Sequence, residues 1–348
     1  MAEPDRNQDE APPPLPGPLL ECSHAAWLEP LRERLQQMRA QGRMPHGLLL
    51  VGPAGGGQLE IGVWLAAMMC CREGVGRCGL CADCRLFEAG NHPDFHWLRV
   101  APEKKEISVG QVRELLADLA LKSYRGGAKI ALIEPAEAMN IHSFNALLKT
   151  LEEPARDTYL VLATSRADRI PRTIASRCMR LRVPLPARPD ALAWLRARAP
   201  EGRWDGLLDL ASGAPFLAAE HAEAGRAELD GAMREALAAG AESGAWLVDQ
   251  ARAWAEDAPA ARLQWLETWL AAELRAAGLA GDLVNNNRLP WLRGTGRDRK
   301  IRSGYLLLDE LREARRLAGG SLNMQLLLEG LLVSVAAFLA DTGRAVPE

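Results

Sequence analysis

The sequence predicts an α/β domain, a mostly parallel sheet with helices on both faces, followed by two all-helical domains. Three observations carry this. Between residues 46 and 183, short apolar runs alternate with helical patterns, the signature of parallel strands joined by crossover helices. The first of these runs leads into a glycine-rich loop and then a helix. From Pro184 onward strand signals stop, and Ala, Leu and Trp recur at helical spacing.

The elements follow in order. Residues 1–21 are acidic and proline-rich and read as a disordered leader, with no basic segment or apolar run of a signal peptide. Leu28, Leu31, Leu35 and Met38 lie at three- and four-residue spacing and predict an amphipathic helix. His46 to Gly52 reads as a buried strand, the glycine loop follows, and Leu59 to Cys71 reads as a helix. Asp94 to Val100 predicts a second strand. Ser108 and Gln111 form a capping box that opens a helix over Val112, Leu115, Leu116 and Leu119. Lys129 to Glu134 is a third strand, and Pro154 stops the helix after it. Thr158 to Thr164 and Cys178 to Val183 are a fourth and a fifth strand. The α/β domain is therefore expected over residues 22–182, a small helical domain over 183–222 with a break at Gly213 and Pro215, and a larger helical domain over 223–348. In the last, Trp246, Trp254, Trp265 and Trp269 are expected core, and a polar loop spans 281–300.

The bulk numbers exclude some functions. Net charge is −3, so binding to nucleic acid through overall charge is excluded, although a local basic patch is not. Lysine is scarce beside arginine, a bias ascribed to genome composition. The longest apolar stretch, Leu326 to Ala340, contains Glu329 and Ser334 and is too short to cross a bilayer. A cytoplasmic location with reduced thiols is expected.

Two motifs carry chemistry. The first is Gly52-Pro53-Ala54-Gly55-Gly56-Gly57-Gln58-Leu59, in the strand–loop–helix context of a phosphate-binding loop. A working loop needs a lysine and a hydroxyl after its last glycine, for the outer phosphates and magnesium. Here Gln58 and Leu59 stand there, and residues 1–103 contain no lysine that a shifted loop could use. The third strand ends Ile133-Glu134-Pro135, with a proline where a second acid would orient water. Gly52, Gly57, Gln58 and Leu59 thus read as a degenerate loop, with no bound cofactor and no ATP hydrolysis expected. Weak nucleotide binding without turnover is the alternative.

The second motif is a cysteine cluster. Five of the seven cysteines fall between residues 70 and 84. Cys78, Cys81 and Cys84 lie at CxxC spacing, and one of Cys70 and Cys71 completes a four-sulfur set, with Cys70 taken as the ligand and Cys71 as the alternative. Four thiolates leave no open position, so structural Zn2+ is expected. Cys22 and Cys178 are read as outside the set.

These residues resemble bacterial clamp-loader subunits of the AAA+ class. The fused strand, glycine loop and helix lead into a four-cysteine module, and Gly90 to Leu98, Asn145 to Pro154, Leu162 to Ser165 and Arg169 to Cys178 are similar to family segments. The resemblance is strong over about residues 44–183, and weaker beyond. It implies an AAA+ domain with an inserted zinc module (70–84), a helical lid domain and an all-α collar domain for oligomerisation. Among family members, it matches the kind that keeps the zinc module and the Ser-Arg-Cys motif but has a degenerate loop. Two departures are the Cys70-to-Cys78 spacing, a residue shorter than the family's, and a lid without the nucleotide-sensing arginine.

The implied function is that of a non-catalytic subunit helping to load the sliding clamp onto primed DNA. The alternative is a gamma/tau-type ATPase with a divergent loop. The implied partners are gamma/tau and delta subunits, and, within the complex, the clamp and primer-template DNA, in a hetero-oligomer with no membrane contact. Arg177, with Ser176 beside it, would act in trans on the ATP of a neighbouring subunit. A guanidinium suits that task because it is planar, always charged and bidentate. Glu152 and Glu153 match the family motif and face either a neighbouring subunit or solvent.

Overall fold

The computed structural model describes residues 25–74, 76–101, 104–240, 245–279, 297–318 and 323–341. The leader, Cys22 and most of the polar loop expected at 281–300 lie outside these, as does the side chain of Trp246. The chain divides between Trp194 and Leu195 into two compact units.

The first unit is an α/β layer. A 3-10 turn, Ala26–Leu28, leads into α1, Glu29–Ala40, which buries Leu31 and Leu35. Strand β1, Gly47–Val51, enters the glycine loop, and α2, Gln58–Cys70, leaves it. Helix α3, Ala82–Glu88, belongs to the cysteine module and has no apolar period that would announce it. Strand β2, Phe95–Leu98, is followed by α4, Val109–Ala120, β3, Lys129–Ile133, α5, Ile141–Glu152, and β4, Thr158–Thr164. A short helix α6, Arg172–Ala175, precedes β5, Met179–Arg182, and α7, Arg188–Arg198, follows.

All five strands are parallel, in the order β2-β3-β4-β1-β5, so β2 and β5 are the edges. The register pairs Leu49 with Leu162 and Leu162 with Ile133. Side chains alternate across a sheet. One face therefore carries Leu49, Ala131, Ile133, Leu160 and Leu162, which pack with Val112, Leu115, Phe144 and Leu147 of α4 and α5. The other face carries Leu50 and Leu132, which meet α2 at Gly62, where an added Cβ would lie 2.7 Å from Leu132. Helices cover both faces, as expected, and burying each such Leu or Ile contributes about 1.5–3 kcal/mol. The capping box forms as read: the Gln111 N–H donates to Ser108 Oγ at 3.3 Å, and the Ser108 N–H to Gln111 Oε1 at 3.0 Å.

The second unit is all-helical: α8, Trp204–Leu210; α9, Pro215–Glu223; α10, Arg226–Gly240; α11, Ala245–Glu256; α12, Pro259–Leu279; α13, Arg297–Leu317; and α14, Met324–Asp341. The break falls where expected: Ser212 and Gly213 take positive φ, and Pro215 opens α9. Trp254, Trp265 and Trp269 are all buried. The Trp265 N–H donates to Asp230 at 3.0 Å, which satisfies the indole inside the core. Among the described residues, no helix is long and apolar enough to cross a membrane.

Candidate functional site

Three features of the first unit bear on function: the loop before α2, the cysteine module after it, and the segment leading into β5.

In the loop, Gly55 and Gly57 hold positive φ of 66° and 116°, which suits glycine, and Gly57 caps α2. Gln58 turns inward. Its Nε2 donates to the Gly52 carbonyl at 3.3 Å, while its buried Oε1 has no hydrogen-bond partner among the described residues. Leu59 is half-buried. Glu137, on the 3-10 turn Ala136–Ala138 after β3, accepts from the Ser165 hydroxyl at 2.6 Å and from the Ser165 N–H at 3.1 Å. The ends of β3 and β4 are thus joined through Glu137 Oε1, while the buried Oε2 has no hydrogen-bond partner among the described residues. Burial alone would raise the Glu137 carboxyl, but the Ser165 donors hold it below its ordinary value.

At the other end of α2 the structure corrects one expectation. The sulfurs of Cys71, Cys78, Cys81 and Cys84 all lie within 4.8 Å of one another, and Cys70 is not among them. Cys70 is the last helical residue, buried where desolvation pushes its thiol up. Cys71 is the first extended residue, with φ −68° and ψ 126°, and that change of backbone direction brings its sulfur to the cluster. Arg39 of α1 fixes the turn by donating to the carbonyls of Met68 and Cys71.

The donor set fits a tetrahedral metal. A Zn–S bond of about 2.3 Å places tetrahedral sulfurs about 3.8 Å apart. The Cys71–Cys81 and Cys78–Cys84 pairs are both 3.9 Å apart. Backbone N–H groups also point at the sulfurs: Leu80 and Cys81 at Cys78 (3.4 and 3.3 Å), Cys78 at Cys71 (3.4 Å) and Cys84 at Cys81 (3.4 Å). The Leu80 and Cys81 donors bring the Cys78 thiol down to about 6, whereas burial pushes Cys84 up to about 12. A cation that deprotonates all four together resolves this mismatch.

The module is tied to the sheet through a loop, residues 123–125, that no sequence motif marks. Buried Asp94 accepts from the Ser123 hydroxyl (2.8 Å) and from the N–H groups of Tyr124 (2.8 Å) and Arg125 (2.9 Å). Arg125 in turn donates to buried Asp83 on α3 at 2.7 Å.

Ser176 and Arg177 are exposed just before the edge strand β5. The Arg177 Nε donates to Glu152 Oε1 at 2.7 Å, and Nη2 lies 2.5 Å from the same oxygen. Nη1 donates to the Thr173 carbonyl at 2.9 Å. Ser176 donates its hydroxyl to Thr173 as well, at 3.2 Å.

Residues 27–186 match a family model described as DNA polymerase III, delta subunit. The DNA polymerase III subunit delta' of Pseudomonas aeruginosa is 42% identical over 188 residues, covering 52% of this chain and 57% of that protein. The match thus spans little more than half the length of that relative. The subunit delta' of Escherichia coli is 33% identical over 264 residues, 74% of this chain and 78% of that protein. The Escherichia coli subunit tau is 38% identical over 140 residues, 40% of this chain and 21% of that protein. The chain belongs to the DNA polymerase III delta' family.

Proposed function

We propose that this member of the delta' family is a clamp-loader subunit that hydrolyses no ATP itself and lends Arg177 to the ATP site of an adjacent gamma/tau subunit. The observation that carries the reading is a contrast within one unit. The loop before α2 places Gln58 and Leu59 where the phosphate and magnesium ligands belong, while Arg177 stands exposed at the sheet edge. A chain that had lost all nucleotide chemistry would have no use for the second.

In this reading, Arg177 stabilises charge developing on the transferred phosphoryl group, and Ser176 sets the turn that presents it. Such an arginine is worth ~10³–10⁵ in rate. The four cysteines hold a structural Zn2+ that keeps the segment between α2 and β2 folded. The zinc-bearing domain over residues 22–182, the lid over 183–222 and the collar over 223–348 join gamma/tau and delta in a cytoplasmic hetero-oligomer. That assembly places the sliding clamp on primer-template DNA.

The second reading, a gamma/tau-type ATPase with a divergent loop, is favoured only by the similarity to tau. Both are separated by DNA-stimulated ATP hydrolysis in a loader reconstituted with gamma/tau and delta. The chain alone is expected to be inactive, and Arg177→Ala to slow the site it serves by ~10³. Hydrolysis by the isolated chain, or an unchanged rate with Arg177→Ala, overturns the proposal.

A further inference from the structure

Arg177 does not project freely from the sheet edge. Its Nε and Nη2 engage one oxygen of Glu152, at 2.7 and 2.5 Å, and its Nη1 engages the Thr173 carbonyl at 2.9 Å. Glu152 ends α5, and Thr173 lies in α6. Both carriers are anchored. Leu151, directly before Glu152, and Cys178, directly after Arg177, belong to the same buried core as Ile174.

We propose that Glu152 is a positioning residue for Arg177, holding the guanidinium in one orientation before a neighbour's phosphate arrives. The inference rests on Arg177 acting in trans. An unrestrained arginine would have to give up its rotamer freedom on meeting the phosphate, and a group oriented beforehand avoids that cost. Glu152 and Thr173 take only some of the donors. Nη1 also donates to Ser176 Oγ at 3.4 Å, which leaves Nη2 with a second N–H for an incoming oxygen.

A role in stability does not account for the pair. Both side chains are exposed to solvent, at 36% and 50%, and such pairs contribute little to folding. Glu153, its neighbour in sequence, is also exposed and provides an internal control.

The test uses the reconstituted loader and pre-steady-state ATP hydrolysis. The phase lost with Arg177→Ala identifies the site that the arginine serves. Glu152→Ala is expected to slow that phase by roughly 10-fold or more, towards the ~10²-fold that a misplacement of about 1 Å costs. The KM for ATP should be unchanged, because the neighbour binds the nucleotide. Glu152→Gln, which keeps an acceptor oxygen, should recover part of the rate. Glu153→Ala should have no effect, and the melting temperature should be unchanged in all of them. The double variant Arg177→Ala/Glu152→Ala should match Arg177→Ala alone.

If Arg177→Ala slows the phase and Glu152→Ala does not, the positioning role is wrong and the arginine's role stands. A further loss in the double variant means that Glu152 acts independently of Arg177, and also defeats the inference. If Arg177→Ala itself changes nothing, the underlying reading falls and takes this one with it.

Discussion

The two ends of α2 make an instructive pair. At the N-terminal end, a glycine loop keeps its backbone turns, with Gly55 and Gly57 at positive φ, but its side chains point to other uses. At the C-terminal end, Cys71 joins three further sulfurs within 4.8 Å, and backbone N–H groups converge on them. One helix thus links a site whose donor set is complete to one whose donor set is not. The backbone turns alone say little about a ligand, because the strand–loop–helix connection is needed by the sheet whether or not a phosphate binds. The cysteine cluster lies outside the strands, so its four converging sulfurs have no such second use in the sheet. Completeness of a donor set is therefore better evidence of a working site than the geometry of the loop that carries it.

The largest expected effect tests the complete end. Structural zinc contributes on the order of 10 kcal/mol of apparent binding free energy in small peptides at neutral pH. Cys71→Ser should abolish equimolar zinc in the purified chain, lower its melting temperature and expose the module to protease. Cys70→Ser should retain the metal, since its sulfur lies outside the cluster. Metal analysis of the two variants decides between them. Zinc retained by Cys71→Ser and lost by Cys70→Ser would restore the original expectation and break the contrast between the ends.

That pair of cysteines also marks where the sequence stops being informative. The strands were legible because runs such as Leu48-Leu49-Leu50 and Ile130 to Ile133 are apolar throughout, as burial on both faces demands. Strand β4 keeps the bounds read from Thr158 to Thr164. The four-sulfur module was legible from CxxC spacing alone. Its fourth member was not, because spacing does not say at which residue α2 gives way to extended backbone, and that decides which sulfur turns inward. Partners set by tertiary packing were equally silent. Glu152 and Arg177 are 25 residues apart and meet only because α5 and α6 pack together. Asp94 finds its three donors about 30 residues on, in a loop with no motif.

A smaller effect probes the incomplete end. Restoring the missing ligands with Gln58→Lys and Leu59→Ser should tighten binding of ADP by about 10- to 100-fold, the equivalent of about 1.5–3 kcal/mol for charge-assisted hydrogen bonds. Hydrolysis should still be absent, because Pro135 stands where a second acid is required. Fluorescence titration with a labelled ADP reads the change. No gain in affinity would mean that the backbone cradle has also been lost, and the difference between the two ends of α2 would then be one of shape as well as ligands.

The smallest effect lies beside that loop, in the contact between Glu137 and Ser165. A carboxylate held below its ordinary value contributes stability that is present above about pH 4.3 and lost as pH falls through the lower folded value. Ser165→Ala removes the 2.6 Å hydroxyl donor but keeps the N–H at 3.1 Å. Glu137 is partly open to solvent, so the loss at neutral pH should stay below about 1 kcal/mol. Denaturant unfolding of the two proteins should show the gap at pH 7 and its narrowing as pH falls below the ordinary glutamate value and through the lower folded one. A gap that persists unchanged in acid would assign Ser165 a neutral packing role.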